Sequence, residues 1–295
     1  MQSIWQWGLD LIRTIQLIHG PTLDAIFKAI TFMGEEEFFL ILLPLIFWCV
    51  DFAVGVRLAL AFLLSTYVNT GLKDLVAHPR PFDLDPSVKL ADASGYGFPS
   101  GHSQSAVVVW GTIAAGFRKA WLWVVAVLLV LLIGFSRIYL GVHFPTDVFG
   151  GWTIGVVFLA VYLALQPRVA AWLKRAGLAV QLALAIAVPL LLLLLYPTDD
   201  TASPMAVMLG MGVGIVLTMR WVPFSASGPL WQRAVRFLVG LLGLLVLYLG
   251  LKLLFPAEGE PLYFILRVVR YALVGLWAGL GAPWLFRRLH LAPAA

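Results

Sequence analysis

Cysteine is nearly absent from this chain. The single one, Cys49, lies in the apolar run LIFWCVD, which excludes an intramolecular disulfide and any thiolate metal cage. Charge is scarce too: Asp, Glu, Lys and Arg make up 12% of the 295 residues, against 61% hydrophobic. That balance lies outside the range of water-soluble globules and inside that of chains crossing a bilayer several times. There is no P-loop and no carboxylate cluster with ligand-like spacing, so nucleotide-cradling and two-metal chemistries have no carrier. A cleavable leader is not expected, because a charged n-region and a small-residue cleavage site are missing from the first residues. The net charge of +5 does not make nucleic acid a partner, since the basic residues are scattered through short loops between apolar runs.

What is present is apolar sequence in span-sized pieces. Runs at Phe38–Val50, Ala53–Leu72, Ser103–Gly116, Trp121–Phe135, Val148–Leu165, Leu178–Tyr196, Met205–Arg220, Phe237–Phe255 and Phe264–Phe286 predict about nine crossings, the first of them short. Charge alternates between them. Arg57, Arg118/Lys119, Arg168/Lys174/Arg175, Arg220/Arg233/Arg236 and Arg287/Arg288 fall on one side, which the positive-inside rule makes cytoplasmic; Asp199/Asp200 and Glu258/Glu260 fall on the other. Two polar loops, Asp74–Pro99 and Arg137–Asp147, come out together on that second, extracytoplasmic side. Ser3–Gly34 mixes Trp5, Trp7, Leu9, Leu11, Ile12 and Ile15 with Asp10, Arg13 and Gln16 at helical spacing, the pattern of an amphipathic interfacial helix. Gly151–Gly155 and Gly275–Gly279 fit small-xxx-small helix packing, a weak hint of a homo-oligomer.

The two polar loops carry the chemistry. In GLKDLVAHPRPF, Lys73 ends a span and Arg80 follows seven residues later, locked between Pro79 and Pro81. In FPSGHS, Ser100 is placed to N-cap a helix whose first amides, around Gly101, offer an anion site from unsatisfied N–H groups and the dipole. In SRIYLGVHFPTD, Arg137 ends a span, and Asp147 lies in the first turn of the next helix behind Pro145. Four residues ahead of Asp147, His143 is placed so that the carboxylate reaches back to one imidazole nitrogen and leaves the other as a nucleophile. Lys73, Arg80 and Arg137 suit the non-bridging oxygens of a phosphate, and the Ser100–His102 amides suit the charge that develops on them. His143 then attacks phosphorus, while His102 protonates the leaving oxygen and later deprotonates the hydrolytic water. The three cations take the place of Mg²⁺, so no metal and no cofactor is expected.

At these residues the chain resembles the type 2 phosphatidic acid phosphatase (PAP2) family, related to vanadium haloperoxidases and bacterial acid phosphatases. Its motifs K-x6-RP, PSGH and SR-x5-H-x3-D are all present, as Lys73–Arg80–Pro81, Pro99–Ser100–Gly101–His102 and Ser136–Arg137–His143–Asp147. The resemblance covers roughly Phe38–Leu165. It implies an all-α fold, a polytopic membrane helical bundle with a PAP2-like core and, in this chain, about four additional C-terminal transmembrane helices. The expected organisation is an interfacial region over 1–35, the catalytic core over 36–166 and the extension over 167–295. The expected location is the inner (cytoplasmic) membrane, with the site facing the periplasm.

The resemblance also implies a lipid-linked mono- or diphosphate as substrate: undecaprenyl diphosphate, phosphatidylglycerophosphate or phosphatidate. A phosphotransferase using the same site is the alternative; a lipid transporter ranks lower, because the ionisable residues sit at span ends rather than at mid-span. Outside the motifs, His78 reads as a loop residue, Asp83, Asp85 and Asp92 as a solvated lid, and Glu35–Glu37 as a water-facing helix start. The loop 82–98 is placed to gate lipid entry, with Gly95 and Gly97 as hinges.

Overall fold

The computed structural model describes residues 2–293. Met1 and residues 294–295, at the ends of the regions 1–35 and 167–295, lie outside the described residues. In chain order the helices are α1 (Gln2–Gln16), α2 (Pro21–Phe32), α3 (Glu36–Leu45), α4 (Phe52–Val76), α5 (Pro81–Leu84), α6 (Gly101–Phe117), α7 (Ala120–Tyr139), α8 (Pro145–Arg175), α9 (Leu178–Leu195), α10 (Asp199–Trp221), α11 (Leu230–Leu254), α12 (Tyr263–Leu276) and α13 (Ala282–Arg288). Among the described residues there is no strand. Helix is what an apolar span must be, because hydrocarbon offers backbone N–H and C=O groups no partners.

Among the described residues seven stretches, from Phe52–Leu84 to Tyr263–Arg288, are long and apolar enough to cross a membrane, and four of them follow residue 175. This is a multi-pass membrane protein. Two of the nine apolar runs fall on shorter helices. Ser103–Gly116 lies within the 17 residues of α6, and Phe38–Val50 is divided between α3 and a wider π turn, Ile46–Val50. The division follows Pro44, whose ring removes a donor and crowds the preceding turn.

Contacts divide the chain into two compact units, Met1–Leu40 with Val68–Ala164, and Ile41–Tyr67 with Leu165–Ala295. This differs from the contiguous reading 1–35, 36–166, 167–295. Helices α1 and α2 pack in the same unit as the helices that carry the three motifs, and residues 41–67 belong with the C-terminal ones. The cause is side-chain packing that an apolar run does not reveal: Trp48, fully buried, meets Gly240 and Phe286 and donates from Nε1 to the Ala278 carbonyl at 3.1 Å.

In the first unit α1 buries Leu9 and Ile12 against Val88, Ile138, Phe144 and Val148, while Gln6, Asp10 and Arg13 face outward. Its apolar face is thus largely spent on protein, leaving Ile4, Trp7, Leu17 and Ile18 exposed. In the second unit Met205, Met208, Met211 and Ile215 give α10 a buried stripe at helical spacing. The small-xxx-small pairs work inside the chain. A Cβ on Gly151 would stand 2.5 Å from the Ser100 carbonyl oxygen, and one on Gly275 would stand 2.2 Å from that of Val207. They bring α8 onto α6 and α12 onto α10, so neither pair points to an oligomer seam.

Candidate active site

All the motif residues lie in the first unit. Helix α4 carries Lys73 in its last turn and ends at Ala77, whose φ of 50° is left-handed. Arg80 then precedes Pro81 at the start of α5, and its backbone N–H donates to Asp83 Oδ2 at 2.8 Å. Ser100 N-caps α6, with Oγ 3.4 Å from the Ser103 N–H, so the amides of Gly101 and His102 have no acceptor within the helix. The turn is fastened twice, by the Ser100 N–H to the Asp147 carbonyl at 3.0 Å and by Asn69 Nδ2, which donates to Gln104 Oε1 at 2.9 Å.

The end of α7 folds back on itself. The Val142 and His143 N–H groups both donate to the Arg137 carbonyl, at 3.2 and 3.3 Å, around Gly141 at φ 68°. A Cβ at Gly141 would lie 1.8 Å from the Val88 carbonyl oxygen, so only glycine fits both the dihedral and the space. Helix α8 then starts with Pro145, and Asp147 Oδ2 accepts from the Phe144 N–H at 2.9 Å, the reciprocal half of a capping box.

These turns bring Arg80, His143, Asp147 and His78 together. Asp147 is fully buried, with Oδ2 3.5 Å from His143 Nδ1 and Oδ1 3.2 Å from His78 Nδ1. The first distance exceeds that of a formed hydrogen bond. His143 Nε2 faces Arg80 Nη1 at 3.2 Å. Arg80 also donates to the carbonyls of Gly95 (2.8 Å), Val142 (2.8 Å) and Ser94 (2.6 Å). Burial holds the His143 pKa well below the ordinary value; Asp147 opposes that shift, and the charges of Arg80 and Arg137 add to it. The ring is therefore held neutral, with Nε2 turned to the Arg80 guanidinium.

A second cluster adjoins it. His102 Nε2 lies 3.0 Å from Glu35 Oε1, which is 3.6 Å from Arg137 Nη1; the same Nη1 donates to Thr31 Oγ1 at 2.7 Å. The close approach of the His102 ring, with the charge of Arg137, lowers the Glu35 pKa and keeps it a carboxylate. Lys73, half-buried, is near enough for its charge to act on His102. A cavity of about 480 Å³ opens beside this cluster, lined by Lys28, Thr31 and Phe32 of α2, by Glu35 and by residues 89–92. Among the described residues no group of three His, Cys, Asp or Glu side chains is placed to hold a metal ion.

Several residues of the site are not visible in the motifs. His78 is not a plain loop residue: it sits on Asp147, and its Nε2 accepts from Trp5 Nε1 at 2.6 Å, which puts the ring proton on Nδ1. Glu35 is not simply water-facing. The loop 82–98 is stitched down rather than hinged free, by Arg13 to Asp85 (2.6 Å), Gln16 Nε2 to the Val88 carbonyl (2.8 Å), Arg80 to Ser94 and Gly95, and the Gly97 N–H to the His78 carbonyl (2.7 Å). The signal that could have found His78 is its place two residues before the motif arginine, on the same short turn.

Residues 54–171 match the PAP2 superfamily, and residues 202–294 match the transmembrane extension of PAP2 superfamily phosphatases. The chain is 34% identical over 166 residues to phosphatidylglycerophosphatase B of Bacillus subtilis, covering 52% of this chain and 80% of that one. It is 26% identical over 163 residues to an undecaprenyl-diphosphatase of Sulfolobus acidocaldarius, covering 53% and 78%. Among solved structures, a transmembrane PAP2-type phosphatidylglycerolphosphate phosphatase from Bacillus subtilis superposes with a TM-score of 0.51 at 27% identity, over 57% of this chain and 88% of that one.

Proposed function

Because the chain belongs to the PAP2 superfamily of phosphatases, we propose that it removes the terminal phosphate of a membrane lipid mono- or diphosphate by way of a phosphohistidine on His143. The observation that carries this reading is the placement of His143, with Nδ1 toward the buried Asp147 carboxylate and Nε2 toward the Arg80 guanidinium at 3.2 Å. The imidazole is oriented and neutral, and the group beside its lone pair is a donor that a phosphate oxygen can take over. His143 Nε2 attacks phosphorus, the bond to the leaving oxygen breaks, and His102 delivers a proton to that oxygen. Water then attacks the phosphohistidine, His102 takes its proton, the N–P bond breaks, and phosphate leaves with His143 restored. Lys73, Arg80, Arg137 and the Gly101 and His102 amides stabilise charge on the three equatorial oxygens, the term expected to be largest.

The site is assigned to the extracytoplasmic side, because both motif loops emerge opposite the basic ones. Phosphatidylglycerophosphate and undecaprenyl diphosphate are the substrates to test first, since the relatives named above act on them by name, and phosphatidate belongs in the same panel. The test is phosphate release by the purified protein and its His143→Ala variant, with EDTA present. Release from one lipid that disappears in the variant supports the reading and names the substrate. Consumption of lipid without free phosphate replaces hydrolysis by phosphoryl transfer to another acceptor. Loss of release with EDTA overturns the cation-only account.

A further inference from the structure

Glu35 stands outside the three motifs and reaches two of their residues. It closes the turn after α2, with its N–H on the Phe32 carbonyl at 3.0 Å, and its carbonyl accepts from the Phe39 N–H in α3 at 3.3 Å. From there Oε1 lies 3.0 Å from His102 Nε2 and 3.6 Å from Arg137 Nη1. The neighbouring residue packs on the same ring: a Cβ on Gly34 would stand 2.9 Å from His102 Cδ2. Thr31, one turn earlier, takes the Arg137 hydrogen bond at 2.7 Å. Residues 31–35 thus form a cradle for the two groups that must face the leaving oxygen and the phosphate.

We propose that Glu35 is a positioning residue for His102: its carboxylate holds the Nε2–H, so that the imidazolium gives its Nδ1 proton to the leaving oxygen and the neutral ring, still protonated at Nε2, takes one back from water at Nδ1. The inference rests on the reading of His102 as the proton donor. Its physical basis is that the partner at one imidazole nitrogen selects the tautomer at the other. Burial and the cations Arg137 and Lys73 disfavour an imidazolium at His102, and the Glu35 carboxylate is the charge beside the ring that works against them. A buried proton donor between two cations needs such a counter-charge. The carboxylate is not sealed in: its side chain is 37% exposed and lines the 480 Å³ cavity.

The test exploits the leaving group. Phosphatidate expels an alkoxide, which needs a proton, whereas a diacylglycerol diphosphate expels a phosphate monoester, a far weaker base. Glu35→Gln is expected to slow phosphoenzyme formation from phosphatidate, read as single-turnover release of diacylglycerol, by about 10- to 100-fold and to leave the same step with the diphosphate, read as release of phosphatidate, much less affected, with Glu35→Asp recovering part of the loss; only this step is compared, because the proton later taken from water is common to both substrates. His102→Ala must show the same selectivity. If it does and Glu35→Gln does not, the role of Glu35 falls and that of His102 stands; if His102→Ala slows both substrates equally, the proton-donor reading falls as well. A second measurement is independent of turnover: nitrogen NMR shifts of His102 in protein carrying isotope-labelled histidine, assigned by their loss in His102→Ala. A protonated Nε2 is expected, and a neutral ring protonated on Nδ1 alone overturns the proposal.

Discussion

Buried arginines occur in both units, and they are held differently. In the second unit Arg236 is fully buried, and its Nη atoms donate to the carbonyls of Ser225 (2.9 Å), Ala226 (3.1 Å) and Ser227 (2.7 Å), with the Phe224 ring 5.7 Å away. Arg270 lies over the rings of Tyr248 and Tyr271, at 5.4 and 5.1 Å. In the first unit Arg80 also meets an imidazole, and Arg137 meets a hydroxyl and a carboxylate. A carbonyl keeps its charge whatever the enzyme is doing, and an ordinary phenol, with a pKa of about 10, keeps its own around neutral pH. An imidazole or a carboxylate does not, so burial alone does not mark a functional arginine, whereas burial against groups that titrate does.

That contrast can be broken in order of effect. His143→Ala should cost at least roughly 10³-fold in phosphate release without loss of folded protein, since it removes the group proposed to bond to phosphorus. Arg137→Lys, which keeps the charge but loses the planar fork, should cost about 10²- to 10³-fold in kcat. His78→Ala should cost about 10-fold, because it acts only by orienting Asp147. Arg236→Ala should leave kcat per folded molecule unchanged and lower thermal stability by about 2–3 kcal/mol through the carbonyls left without a donor. If Arg236→Ala abolished turnover in folded protein, the division between structural and reactive arginines would not hold.

The pH profile sharpens the same division. The proposed attack needs neutral His143, so on that reading activity is present above its pKa in the folded protein and falls as pH drops through it. Burial has moved that pKa down, so the acid limb of kcat/KM should lie below about 6.5, the value of an unperturbed imidazole. Asp147→Asn removes the charge that opposes the shift and should move the limb lower still. A limb at or above 6.5 in the wild type would show that His143 is not the group being titrated.

The helices and the three motifs were legible because a bilayer imposes span length and phosphate chemistry imposes residue type at close spacing. Lys73, Arg80, His102, Arg137, His143 and Asp147 sit on turns that local rules describe: a proline at a helix start, a serine cap, a glycine in the left-handed region. Glu35, Trp5 and Asn69 obey no such spacing: Glu35 comes from the turn after α2, Trp5 from α1 and Asn69 from the turn of α4 before Lys73, and each is tied to the site only through the fold. The unit boundaries were hidden for a related reason. Residues 41–67 are as apolar as any neighbouring span, and in lipid the choice of partner is made by fit, as where Trp48 fills the space over Gly240.

The hydrogen bond from Trp5 to His78 has an optical consequence. Its acceptor is an imidazole that rests on Asp147, and the two rings are 5.2 Å apart in an edge-on arrangement. An indole in such contact changes its emission when the imidazole gains a proton or swings away. The chain has 12 tryptophans, so the difference between wild type and Trp5→Phe isolates one intrinsic fluorophore, a label-free reporter of changes in the contact between His78 and the buried aspartate.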